Sequence, residues 1–191
     1  AIEEINAITH TATHIDAPYH YGPTSEGAPA KTIDQLPLEW FVQPGVVLDM
    51  TYKNNGEAIE IDDIEKELGR IDYQLQPLNI VMIRTDADQK LETPEYFKQP
   101  GLTRESTLWL VEQGIKVIGI DAYTIDRPFA AMVQDFRESG KGEHIWPAHF
   151  AGITREYCQI EKLANLSKLP PHGFTVSCLP VNIQSASAAW C

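Results

Sequence analysis

Eleven residues near the start of the chain, His10-Thr-Ala-Thr-His14-Ile-Asp16-Ala-Pro18-Tyr-His20, hold three imidazoles and a carboxylate. Side chains of these types gathered so closely point to a bound metal ion or a managed proton. As a helix the segment fails: His10 and His14 share a face at i, i+4, but Asp16 falls about 200° round from His14 and Pro18 breaks the turn. Read as extended, His10, Ala12, His14, Asp16, Pro18 and His20 face one way, with Thr11, Thr13, Ile15 and Tyr19 opposite. A straight strand would leave His10 and His14 roughly 13 Å apart, too far to share one ion, so the segment must bend. Ala12 and the Asp16-Ala17-Pro18 step are the expected bends, giving a strand that leads into a curved loop.

Two imidazoles and a carboxylate can hold one divalent ion and leave positions open for water and substrate, as a metal hydrolase requires. Asp16 can also bridge to a second ion. His20 is either a further ligand or, held just off the ion, the base that takes a proton from bound water; spacing alone does not choose. The bland alternative, histidines of a polar surface loop, has four ligand-type residues on one side against it. Further ligand types return late in the chain: His144, His149, Glu156 and Glu161. Singly, His144, His172 and Glu156 read as solvated or structural, and Asp121 or Asp126 as a cap or a partner of Arg127.

The elements that must position these groups alternate. Val46–Met50, Asn79–Arg84 and Lys116–Ile120 are buried-strand runs, Ile61–Leu68 carries acidic residues in its first turn, and Thr103 is an N-cap for a helix to about Gln113. A helix is expected from Pro147 to about Tyr157, an extended segment over Gln159–Glu161, and a strand over Phe174–Leu179. Strand, helix and strand in turn predict a single α/β domain over residues 1–191, a mixed sheet with flanking helices. Ligands in such folds gather at the carboxyl ends of strands, which brings in Thr85, Asp86, Asp121 and the Tyr123–Arg127 segment. Gly22–Lys31, rich in Gly, Pro and Ser, reads as a loop close enough to serve as a lid. Tyr19, Trp40 and Phe41 are candidates for an apolar wall against a planar substrate, with core packing an equal alternative for each.

A formal net charge of −12 over 191 residues, with no basic patch, argues against a nucleic-acid partner and against anionic membrane surfaces. Three cysteines with no close pair signal neither a disulfide framework nor a cysteine metal knuckle. No run of eighteen apolar residues and no signal peptide is visible, so a cytoplasmic location is the expectation. The chain opens at Ala1 without a methionine, almost on the motif, so an N-terminal portion is expected to be missing and any export signal with it.

The His10–His20 segment closely resembles the His-x-Gly-Thr-His-x-Asp-x-Pro-x-His signature of the metal-dependent cyclase superfamily, which includes bacterial kynurenine formamidase and isatin hydrolase. His149, followed twelve positions later by Glu161-Lys-Leu-Ala-Asn165-Leu, and the ending Leu179-Pro-Val to Ser185-Ala-Ser-Ala-Ala189 extend the resemblance over nearly the whole chain. It implies the swivelling β/α fold of that family, a first metal set of His10, His14 and Asp16, a completing or second set of His149 and Glu161, and His20 as catalytic base. It also implies one or two ions, zinc or manganese, and a homodimer or homotetramer. His144 and Glu156 have the same separation, but only Glu161 sits in the family context. Ala12 stands where the family usually has glycine, a strained choice if that position needs φ > 0.

The implied activity is hydrolysis of a C–N bond in a small cyclic or aryl-linked amide. A lactone or ester hydrolase would use the same site. Two other classes are a mononuclear iron oxygenase, to which His149 and Glu161 would be surplus, and a non-catalytic metal-binding protein. Thr85, Tyr19, Trp40 and Phe41 complete the expected substrate-side residues.

Overall fold

The computed structural model describes residues 2–191. The buried apolar runs become the frame on which the shorter elements hang. In chain order these are β1 (His14–Asp16), α1 (Pro18–Tyr21), a small hairpin of β2 (Thr24–Ser25) and β3 (Ala28–Pro29), β4 (Val42–Asp49) and β5 (Ala58–Ile59). They continue with α2 (Ile61–Arg70), β6 (Ile80–Arg84), β7 (Gly101–Leu102), α3 (Arg104–Glu112), β8 (Val117–Ile120) and α4 (Phe129–Ser139). The last four are α5 (Pro147–Thr154), β9 (Cys158–Glu161), β10 (Phe174–Ser177) and β11 (Ala188–Trp190).

Seven strands form one sheet in the order β10-β4-β6-β8-β9-β1-β11. The central four, β4, β6, β8 and β9, run parallel. β10 flanks β4 antiparallel, and β1 runs antiparallel between β9 and β11. This is the expected α/β architecture with a mixed sheet. Alternation along the strands fills two cores, as a sheet covered on both faces requires. Val46, Leu48, Val81, Ile83, Ile118 and Ile120 meet Ile64 and Leu68 of α2 and Leu110 of α3 on one face. Val47, Ile80, Met82, Val117 and Ile160 meet Trp40, Phe41 and Ile15 on the other.

Local chemistry explains the helix limits. Thr103 Oγ1 accepts from Ser106 N at 3.1 Å, and Ser106 Oγ accepts from Thr103 N at 3.0 Å, a reciprocal cap that starts α3 where the sequence places it. Gly101 sits where a Cβ would lie 2.2 Å from the carbonyl carbon of Asp126, so only glycine lets β7 approach the 124–127 loop. Leu102 N then donates to Ile125 O at 2.9 Å and fixes that loop.

Three local expectations change. The His10–His20 segment is neither one strand nor a strand and loop: it is a turn ending at Thr13, three extended residues, and one helical turn begun by Pro18 at a position where its missing N–H costs nothing. The Gly22–Lys31 loop contains a tight hairpin, with Ser25 Oγ donating to Gly152 O at 2.5 Å. Helix α4 was not anticipated, because it buries only Met132 and leaves Phe129 and Phe136 exposed, so no apolar stripe announces it. Among the described residues no helix is long and apolar enough to cross a membrane.

Candidate metal centre

The antiparallel register of β1 on β9 assembles the centre. His14 lies opposite Glu161 and Asp16 opposite Gln159, while Ile15 faces Ile160. Cross-strand partners share a face, so four polar side chains project to one side and the two isoleucines enter the core on the other. β11 closes the opposite edge of β1, where fully buried Ala188 and Ala189 let the strands come together. His10 arrives from the preceding turn, which Ala12 makes possible at φ 56, the left-handed conformation that glycine takes more easily. Lys162 anchors that turn by donating from Nζ to His10 O at 3.0 Å, and Thr13 Oγ1 donates to Lys162 O at 2.6 Å.

His10 Nδ1 and His14 Nε2 converge on Asp16 Oδ1 at 2.8 and 3.2 Å. Neither contact has hydrogen-bond geometry, and His14 Nε2 and Asp16 Oδ1 are buried without a hydrogen-bond partner. Glu161 Oε2 stands 3.8 Å from His14 Nε2. His14 is oriented from behind, its Nδ1 lying 2.7 Å from Ala12 O, which leaves Nε2 directed at the carboxylates. Donor atoms of His10, Asp16 and His20 form one mutually close group and those of His14, Asp16 and Glu161 another, with Asp16 common to both.

The electrostatics fit a cation. Among the described residues neither Asp16 nor Glu161 is paired with a lysine or arginine, and buried charges are normally paired or coordinate metal. Burial pushes the Glu161 carboxyl up, with His149 pulling the other way. Burial also opposes ionisation of Asp16, yet His10 and His14 beside it hold its carboxyl well below the usual range. His20 is pushed down to about 4, mainly by burial, against the pull of Asp16. Imidazole nitrogens with carboxylate oxygens suit zinc or manganese, so the residues fit the group the motif implies.

His149 enters from the first turn of α5, where Asp126 caps the helix by accepting from Ala148 N at 2.7 Å and His149 N at 3.3 Å. The same carboxylate lies 2.5 Å from His149 Nδ1. His149 Nε2 is 3.8 Å from Glu161 Oε1, and the amide nitrogen of Gln159 is nearer, at 2.7 Å. His149 therefore joins neither three-residue group directly. Burial opposes its charge and Asp126 favours it, which would raise the ring to about 9. A proton on Nε2 would meet the Gln159 NH2 head-on, and that amide is oriented by two carboxylates, so the hydrogen-bond geometry decides for a neutral ring carrying its proton on Nδ1.

Helix α1 brings His20 to the centre, its Nε2 3.9 Å from Asp16 Oδ2 and its ring 4.2 Å from that of His10 and 5.4 Å from that of His149. One cavity of about 300 Å³ opens beside it, lined by His20, Tyr21, Trp146, His149 and Phe150. A second, of about 330 Å³, is lined by His10, His20, Tyr123, Trp146, Glu161 and Lys162 among others. Trp146 borders both and is held at φ 53, a strained conformation for a bulky residue.

The substrate-side expectations fare differently. Phe41 is fully buried and Trp40 nearly so in the core on the far face of the sheet, because β4 and the turn before it pack there. Thr85 is buried with its hydroxyl donated to Asp121 at 2.6 Å, so it serves the end of β6 and lines neither cavity. Tyr19 is half exposed and lines neither cavity. Gln159, Tyr21 and Trp146 are not among the site residues expected from sequence, and Asp126 is expected only as part of the Tyr123–Arg127 segment. Gln159 had a signal, since it precedes Glu161 by two on a strand and must share its face.

The family model Cyclase, described as "Putative cyclase", matches residues 2–127. A kynurenine formamidase of Bacillus thuringiensis (strain Al Hakam) is 31% identical over 118 residues, covering 61% of this chain and 49% of that protein. The chain thus spans about half the length of the curated relative it matches. Among solved structures, an isatin hydrolase bound to the product analogue thioisatinate superposes with a TM-score of 0.80 at 22% identity, over 96% of this chain and 70% of the other. A potential metal-dependent hydrolase with cyclase activity gives a TM-score of 0.69 at 25% identity, over 97% of this chain and 78% of the other.

Proposed function

The chain belongs to the cyclase family, and from that premise we propose that it is a metal-dependent hydrolase that opens a C–N bond of a small cyclic or aryl-linked amide. The observation that carries the reading is that His10 Nδ1 and His14 Nε2 each lie within 3.2 Å of Asp16 Oδ1, with His14 Nε2 and Asp16 Oδ1 buried and lacking a hydrogen-bond partner. His10, His14 and Asp16 would hold a zinc or manganese ion, with Glu161 adjoining. When bound, such an ion acidifies a coordinated water and polarises a carbonyl.

The chain's own groups supply the rest. His20, neutral around pH 7, takes a proton at Nε2 on the substrate side of Asp16 and returns it to the leaving nitrogen. Tyr21, Trp146 and Phe150 offer aromatic faces to a planar group and exclude water from it. Asp126 fixes the tautomer and direction of His149, which bounds the same cavity. The kynurenine formamidase and isatin hydrolase names of the relatives agree with an amide as the bond cleaved.

The test is turnover of a panel holding isatin, N-formylkynurenine, simple cyclic imides and lactones by protein loaded with manganese or zinc. Amide opening that is lost on chelation and restored by metal is expected, and His20→Ala should retain metal while losing turnover. Preference for lactones would shift the substrate class, oxygen uptake with iron would favour an oxygenase, and tightly held metal without turnover would reduce the protein to a metal binder.

A further inference from the structure

Gln159 is fully buried, yet it carries an amide between the carboxylates of Asp16 and Glu161. Its Nε2 donates to Asp16 Oδ2 at 3.0 Å and to Glu161 Oε1 at 3.3 Å, and lies 2.7 Å from His149 Nε2. Its orientation is fixed at the other end: Tyr157 Oη lies 3.1 Å from Gln159 Oε1 and 2.8 Å from Ala148 O, sharing its proton between the two carbonyl oxygens. The NH2 group thus sits among three donor atoms, two carboxylate oxygens and an imidazole nitrogen, in the place a cation would take.

The two oxygens of Asp16 divide the centre. Oδ1 faces His10 and His14, while Oδ2 faces Gln159. In a two-ion site with ions about 3.5–4 Å apart, a shared carboxylate gives one oxygen to each. The second ion here would need Asp16 Oδ2, Glu161 Oε1 and His149 Nε2, the same three atoms that the Gln159 amide occupies. Ligand bonds near 2 Å would also draw these atoms inward by about 1 Å, which the amide nitrogen between them prevents.

We propose that the Gln159 side-chain amide stands in for a second cation, tying Asp16, Glu161 and His149 together and limiting the centre to one ion held by His10, His14 and Asp16. This rests on the metal-centre reading above. It assigns the late pair His149 and Glu161 a role that depends on residue 159: with glutamine they are bridged by an amide, and without it they are ligands.

The test is metal stoichiometry, which needs no substrate. Chelator-stripped protein is titrated with Mn2+ by calorimetry, and bound metal is counted by elemental analysis after dialysis. The wild type should bind one ion per chain. Gln159→Glu, which keeps the volume and adds a ligand, and Gln159→Ala, which opens the place, should bind two; adding His149→Ala to Gln159→Glu should return the count to one. Circular dichroism identifies a variant that does not fold, and Gln159→Glu carries the test if Gln159→Ala fails. Two ions in the wild type, or one ion in every folded variant, would overturn the proposal and leave the metal centre standing. No ion in the wild type would remove the metal centre itself and this inference with it.

Discussion

Gly152→Ala tests how His20 is held. Gly152 lies in α5 against Tyr21 of α1, and a Cβ there would stand 2.1 Å from Tyr21 Cδ2 and 2.6 Å from Cε2. An ordinary contact begins at about 3.4 Å, so the ring or α5 must retreat by about 1.3 Å. Tyr21 has little freedom to do so: its ring stacks on Tyr157 at 5.2 Å, and its hydroxyl donates to Asp16 O at 3.3 Å. Overpacking of this kind costs about 1–3 kcal/mol, which in a domain of this size lowers the melting temperature by about 2–12 °C. The displacement falls on the four-residue helix that carries His20, and a shift of about 1 Å at a reacting group costs on the order of 100-fold in turnover. His10, His14 and Glu161 lie on other elements and Tyr21 reaches Asp16 only at its backbone carbonyl, so manganese affinity should fall much less than turnover. Thermal unfolding, calorimetric Mn2+ titration and turnover on the amide panel read the three effects separately. Wild-type stability with wild-type turnover would refute the claim that α1 and α5 packing positions His20.

Asp16→Asn should abolish metal-linked stabilisation: at a cation concentration 100 times Kd the wild type gains about 2.7 kcal/mol, about 5–11 °C in melting temperature, and the variant should show no shift by scanning fluorimetry. An equal shift in both proteins would remove Asp16 from the ligand set. Ala12→Gly should raise stability by about 0.5–1 kcal/mol in denaturant unfolding, because it relieves φ 56 more than it loosens the unfolded chain; a loss would contradict the strain. His20 is depressed from its ordinary 6.5 to about 4, chiefly by burial, so the stability it contributes in the metal-free protein is present above pH 6.5 and lost as pH falls toward 4. His20→Gln should flatten that part of the stability-against-pH curve, and an unchanged slope would count against the shift.

How much the sequence disclosed depends on the range of the interaction. Thr103 marks the start of α3 because a cap is chemistry within four residues. The runs at Val46, Ile80 and Val117 are legible as strands because burial on both faces leaves no polar alternation. His10, His14, Asp16 and His20 stand out for the same local reason. Residue spacing does not disclose which strand lies beside which, and that pairing puts Gln159 against Asp16 and sends Trp40 and Phe41 to the opposite face. From sequence Asp126 reads as a cap, a partner of Arg127, or part of a segment at a strand's carboxyl end; its link to His149 follows from Gly101 letting the 124–127 loop approach β7. Helix α4 hides because its burial rests on Met132 alone, although Pro128 before it and Gly140 after it, at φ 71, were available as boundary signals.

The central claim is that His10, His14 and Asp16 hold a cation. Anomalous diffraction at the manganese or zinc edge, on crystals of protein purified without added metal, tests it most directly. A peak bonded at about 2.0–2.2 Å to His10, His14 and Asp16 is the predicted result. No peak at these residues, or a peak among Asp86, Asp88 and Asp121 alone, would contradict it.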